Sequence, residues 1–152
     1  MKSMTSKLAC ISLLACMPWL CDASELAIND AWVEAAPPVA KTQAAYMTLA
    51  NNSASTIEIV SIDAKGFGMA MIHKTMQHDG MSMMESVPTL AIPAHGSVTL
   101  APGAMHLMLM EATKPAGSGD KVHITFHYKD GSQQSTDIVV KQTATAGHMP
   151  GM

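Results

Sequence analysis

Arginine is missing altogether from this 152-residue sequence, aromatic residues make up only 4 %, and the three cysteines (Cys10, Cys16, Cys21) all fall near the start. With a formal net charge of −3 and no arginine, the chain lacks the basic footprint that nucleic-acid binding requires. If the segment holding the cysteines is removed, what remains has neither thiol nor disulfide. That excludes a disulfide scaffold, a thiol redox enzyme and a cysteine-ligated zinc site. It also excludes a blue-copper electron-transfer centre, which needs a cysteine ligand. No Ser-His-Asp arrangement, phosphate loop or carboxylate pair stands out as catalytic, so the sequence does not read as an enzyme. No long stretch has helical periodicity, and none beyond the first 23 residues is apolar enough to span a bilayer.

The first 23 residues read as a secretory leader: Lys2 and Lys7, an apolar run over residues 8–20, and a small-residue site at Cys21-Asp22-Ala23, with cleavage expected after Ala23. A second reading stays open. Leu13-Leu14-Ala15-Cys16 has the form of a lipobox, which would anchor the chain through Cys16. Either way the protein faces an oxidising compartment, expected to be the periplasm.

The remainder, residues 24–142, is expected to be one all-β domain, a β-sandwich or a small Greek-key barrel. Alternating or β-rich segments recur at residues 26–34, 44–51, 56–64, 69–76, 81–86, 89–92, 97–100, 106–111, 121–128 and 136–142. Turn residues separate them, Asp79-Gly80 and Asp130-Gly131 among them. Trp32 and Tyr46 are expected in the core. Residues 143–152 fall outside the pattern and read as a mobile tail ending His148-Met149-Pro150-Gly151-Met152.

Methionine is the excess. There are 15, of which 12 follow the leader and nine lie between Met69 and Met110, beside histidines. Core packing accounts for a few methionines, but not for such a concentration. Successive side chains of a strand alternate across it, so His106, Met108 and Met110 share one face and Leu107 and Leu109 the other. The aliphatic face is the core candidate. By the same period Met69, Met71 and His73 share a face, and a hairpin at Asp79-Gly80 returns Met81, Met83 and Met84 towards them. His73, Met84, His106 and Met108 could thus converge on one ion. Thioether and imidazole suit soft Cu(I), whereas Mg²⁺ and Ca²⁺ want oxygen and zinc takes thioether poorly. A thioether cannot be lost to disulfide formation, and it carries no proton, so only the histidines make binding fall at low pH. Neutral ligands leave the ion's charge uncompensated, which favours handover over permanent storage.

The spacing His73, ten residues, Met84, twenty-one residues, His106, one residue, Met108 resembles the metal motif of the PCuAC periplasmic copper chaperones at all four positions. Ala31-Trp32, Ala45-Tyr46-Met47-Thr48-Leu49 with Asn51, and the run from Pro102-Gly103 to His106-Leu107-Met108-Leu109 are similar to further features of that family. The resemblance covers residues 27–140. One departure is Glu85, where many members carry a basic residue. The resemblance implies a cupredoxin-like fold, a surface-near Cu(I) site, and supply of copper to the CuA centre of cytochrome c oxidase alongside Sco-type thiol proteins. A copper-sequestering or resistance protein with no dedicated acceptor is the alternative.

Other candidates are weaker. Met69, Met71, Met76, Met81, Met83, Met105 and Met110 are expected to divide between packing and a soft surface that shields or relays copper. His78 and His95 read as solvated turn residues. His123 and His127 share a strand face and read as structural. In the tail, His148, Met149 and Met152 form a candidate secondary site, with His148 suited to Cu(II).

Overall fold

The computed structural model describes residues 25–143. The expected leader, the lipobox at Cys16 and the tail residues His148, Met149 and Met152 lie outside the described residues. Ten strands account for the regular structure, and no helix occurs among the described residues. They are β1 (Leu26–Glu34), β2 (Gln43–Asn51), β3 (Ile57–Ala64), β4 (Met69–His78), β5 (Met81–Val87), β6 (Leu90–Ile92), β7 (Ser97–Leu100), β8 (Met105–Met110), β9 (Lys121–Tyr128) and β10 (Gln133–Lys141). The all-β expectation is met.

The strands form one sheet in the order β5-β4-β8-β2-β1-β10-β9-β3-β6, with β7 paired to β2. A further pairing of β3 with β4, at Ile62 opposite Ala70, closes the inner seven strands into a ring. The architecture is therefore a small barrel, and closure removes the exposed edges an open sheet would leave. Neighbours in the ring are antiparallel except β1 and β10, which run parallel with Val33 beside Val140. Outside the ring, β5 is an edge strand hydrogen-bonded to β4 alone.

Period-two alternation explains the core. Along β2 every second residue is buried, giving Gln43, Ala45, Met47, Leu49 and Asn51. Leu107 and Leu109 of β8, Ile124 and Phe126 of β9, and Val33 of β1 are fully enclosed. The two polar residues that end the inward row of β2 bind loops instead of packing. Asn51 donates through Nδ2 to the carbonyls of Ser55, Ile92 and Pro93 at 2.7, 3.0 and 3.1 Å, and its Oδ1 accepts from the Ser53 backbone N–H at 2.9 Å. At the other end Gln43 donates to the carbonyls of Glu34 and Ala116 and accepts from the Ala116 N–H. Buried amides with this many partners offset their desolvation, which is what allows polar side chains in a barrel interior.

Trp32 and Tyr46 are not core residues. They are Cα partners on β1 and β2, and the adjacent pair, Val33 and Ala45, is the one that points inward. The two rings pack on the outer face, centroids 4.7 Å apart. Burial raises the Tyr46 hydroxyl pKa above its usual value, and the Glu34 carboxylate reinforces the shift. Strand ends also differ from expectation. β8 stops at Met110 because Glu111 takes a left-handed backbone (φ 56°), and β10 begins at Gln133 because the Asp130-Gly131 turn lies immediately before it. Asp79 and Gly80 both have positive φ, 50° and 77°, the geometry of a two-residue I′ hairpin, so the β4–β5 turn forms where expected.

Candidate metal centre

The outer face of β4, β5 and β8 carries His73, His106, Met69, Met71, Met84, Met108 and Met110. β8 lies antiparallel to β4 with Met69 opposite Met110, Met71 opposite Met108 and His73 opposite His106. The alternate pairs, Ala70 with Leu109 and Ile72 with Leu107, face the core. One strand pair thus separates its side chains by chemistry, aliphatic inward and imidazole with thioether outward.

The two imidazoles have ring centroids 6.0 Å apart and planes tilted by 59°. With metal–nitrogen bonds of about 2.0–2.1 Å, as for zinc–imidazole, that gap accommodates one ion between the rings. His106 is 6 % exposed although it points away from the core. Nδ1 of His73 is buried and has no hydrogen-bond partner. A buried imidazole nitrogen without a partner carries a desolvation cost that ligation would relieve. The neutral side chains present fit a soft monovalent ion. Among the described residues no group of three or more His, Cys, Asp or Glu could hold a metal, so a site here has to draw on thioether sulfur.

Register fixes where the thioethers enter. Met108 is diagonal to His73 across the β4–β8 pair and two residues from His106 on the same face. Met84 is opposite Thr75, diagonal to His73 on the other side, because His73 itself faces Ser86 of β5. Diagonal neighbours are about 7–8 Å apart at the backbone, within reach of long side chains. Met84 and Met108 therefore approach His73 from opposite directions along β4, and Met84 is 62 % exposed. Met71, half-buried and directly opposite Met108, stands as near to His73 as Met108 does, although sequence reading gave it only an accessory place. The pairing of two strands 30 residues apart was the missing signal.

The remaining candidates separate clearly. Of the accessory methionines, Met71, Met105 and Met110 are half-buried, with Met105 packed against the core, while Met69, Met76, Met81 and Met83 are exposed; the buried methionine among the described residues is Met47. His95 is exposed at a turn, and His78 is exposed at the end of β4 beside its turn. His123 and His127 bind carboxylates across strands, Nδ1 of His123 to Asp137 and Nε2 of His127 to Asp63, both at 2.7 Å. Their structural reading fits. Glu85 is opposite Lys74, on the face of the hairpin turned away from His73. The departure from the family pattern thus falls off the candidate site. A cleft of about 700 Å³, lined by Ser53, Ile57, Tyr128 and Gln134 among others, includes none of the His/Met cluster.

Fold and cluster together define an all-β barrel domain with a histidine–methionine row on an outer sheet face. The chain belongs to the LpqE-like family, described as "Putative lipoprotein LpqE-like", whose family model matches residues 26–140. It is 30 % identical over 120 residues to "Putative lipoprotein Lxx21020" of Leifsonia xyli subsp. xyli, covering 78 % of this chain and 71 % of that protein. Among solved structures it is 35 % identical to the Cu(I) form of DR1885 from Deinococcus radiodurans, with a TM-score of 0.63 over 80 % of this chain and 83 % of the other. The copper-bound PCuAC domain of PmoF2 has the same fold at 18 % identity, with a TM-score of 0.66 over 78 % of this chain and 94 % of that domain.

Proposed function

We propose that this protein is an exported copper chaperone that binds Cu(I) through His73, His106, Met108 and Met84 and passes it to a partner by ligand exchange. The observation that carries the reading is the outward His73–His106 pair, with a buried, unpartnered Nδ1 on His73 and thioethers on either side. Similarity to DR1885, whose structure was solved with Cu(I), supports the choice of metal. Neutral ligands and an exposed Met84 suit transfer: an incoming thiolate can displace the outermost thioether before the imidazoles let go. The proposed destination is the CuA centre of cytochrome c oxidase, together with Sco-type proteins. The proposed compartment is the periplasm, reached by a leader cleaved near Ala23 or by a lipid anchor at Cys16. The tail residues His148, Met149 and Met152 are proposed to capture a further ion, Cu(II) included.

The test is a Cu(I) titration against a competing chelator, followed by mixing of loaded protein with an apo CuA domain and a Sco-type protein. The tightest binding is expected in the wild type, and the His106→Ala, Met108→Ala double variant is expected to bind more weakly. Equal binding by both would remove the site assignment. Tight binding with no transfer to either acceptor, and copper sensitivity on deletion, would mark a sequestering protein.

A further inference from the structure

The β4–β5 hairpin has a second face. On the side turned away from His73 and Met84, Lys74 is opposite Glu85, Met76 opposite Met83, and His78 opposite Met81. Nearer the barrel this side is core-facing, where buried Ile72 meets Val87. From Lys74 and Glu85 outward the residues on this side of both strands are exposed. Met76, Met83 and Met81 are 44, 56 and 65 % exposed, and His78 stands with them.

Apolar groups on a two-stranded extension have no packing reason to be there. Polar and β-branched residues serve such positions better, and three exposed methionines in two adjacent cross-strand pairs form a patch of one chemistry. Direct partners in an antiparallel pair have Cβ atoms about 4.5–5.5 Å apart, and next neighbours on a face are within reach of long side chains. Three thioethers and one imidazole therefore share a small area. The I′ turn at Asp79 and Gly80 pins the hairpin register and so keeps these four residues on one face. Oδ2 of Asp79 is 3.4 Å from Nε2 of His78 and adds a negative charge beside the ring.

We propose that Met76, His78, Met81 and Met83 form a second Cu(I) site, on the back of the hairpin. The donor set is as soft as that of the primary cluster, and it is more open. Met83 and Met84 are consecutive on edge strand β5, so the two sites lie on opposite sides of a single strand. The back site is an entry port: it captures Cu(I) at the hairpin tip, one residue away from a ligand of the primary site. It does not depend on the tail, whose His148 and Met149 belong to another part of the chain.

The experiment is an anaerobic Cu(I) titration of the purified protein with its C-terminal segment intact, followed by NMR of ¹³C-methyl-labelled methionines. Two equivalents are expected on the barrel, one shifting the Met108 methyl and the other shifting those of Met76, Met81 and Met83. In the Met76→Leu, Met81→Leu, Met83→Leu variant the second equivalent should vanish while the Met108 shift persists. All three substitutions are exposed and keep an apolar side chain, so the fold is retained. The proposal is overturned if the three methyls do not shift in the wild type. It is equally overturned if the extra equivalent survives in the triple variant and disappears instead in His148→Ala, Met149→Leu, Met152→Leu. Failure of the primary site would be seen separately, as an unmoved Met108 methyl.

Discussion

His73 and His106 are direct partners on neighbouring antiparallel strands, with ring centroids 6.0 Å apart on the outside of a barrel whose inside begins one residue away at Ile72 and Leu107. The same backbone ladder thus builds the core and aims the proposed ligands. A ligand that binds only the folded state raises stability by about 2.7 kcal/mol at 100 times its Kd. Cu(I) is therefore expected to raise the Tm of the wild type by several degrees. His106→Ala should shrink that increase and lower Cu(I) affinity at the primary site by at least about tenfold, since even outer-shell changes cost about 10–100-fold. Calorimetry with and without Cu(I) measures both. An unchanged Cu(I)-induced increase in the variant would exclude His106 as a ligand.

In the proposed Cu(I) site Met84 and Met71 are rivals for the fourth position. Met84 reaches His73 from the hairpin and Met71 from two residues below it on β4. Leucine at either position keeps the apolar bulk and removes only the sulfur, so a fall in affinity reads out ligation. Met84→Leu is expected to weaken Cu(I) binding and to slow transfer to an acceptor, because its exposed side chain is the first an incoming thiolate meets. Met71→Leu is expected to change affinity by less than about tenfold. A chelator competition on the two variants decides, and the reverse ranking would reassign the ligand to Met71.

Most of the fold was legible because its signals are local. Alternation marked Leu107 and Leu109 as inward, and Asp79-Gly80 marked the hairpin. His73 and Met71 were correctly put on one face by counting in twos. What sequence could not supply was which strands lie side by side. That β8 pairs with β4, so that His106 meets His73 with no offset, follows from barrel closure and not from any nearby residue. Trp32 and Tyr46 were misplaced for a related reason. Aromatic size suggests burial, but the small Ala45 and Val33 fill the interior at that level and leave the rings to pack on each other outside. The opposite face of the hairpin was likewise invisible until the register placed His78 beside Met81.

Alkaline pH should destabilise the protein through Tyr128. Burial, with a smaller contribution from the Asp130 charge, raises its pKa from 10.0 to about 12. Between these values the folded state binds more protons than the unfolded one, so stability falls as pH rises from about 10 to 12 and is unaffected by this group below that window. Urea unfolding at pH 9 and at pH 11 is expected to give a lower midpoint at the higher pH, with the difference reduced in Tyr128→Phe. That variant loses the hydrogen bond to Oε1 of Gln134, 2.9 Å, so each variant is compared with itself across pH. An identical pH dependence in Tyr128→Phe would assign the alkaline loss to other groups.

Asn51 separates stability from metal binding. It sits 1 % exposed at the end of the barrel, and its amide bonds the carbonyls of Ser55, Ile92 and Pro93. Asn51→Leu has similar bulk but takes the amide donor from the buried carbonyl of Ile92, while the carbonyls of Ser55 and Pro93 keep the Ser53 hydroxyl and the Gly96 N–H. A buried polar group left short of a partner costs about 1–3 kcal/mol, so the variant is expected to lose about that much. None of its bonding partners is on β4, β5 or β8, where the His73–His106 pair is built. Chemical denaturation should therefore show a drop in midpoint, while Cu(I) affinity of the folded fraction stays within about threefold of wild type. Unchanged stability would mean that the Ile92 carbonyl finds another partner, and a collapse of Cu(I) affinity in the still-folded protein would mean that the barrel end and the metal cluster are coupled through β2, the strand that carries Asn51 and pairs with β8.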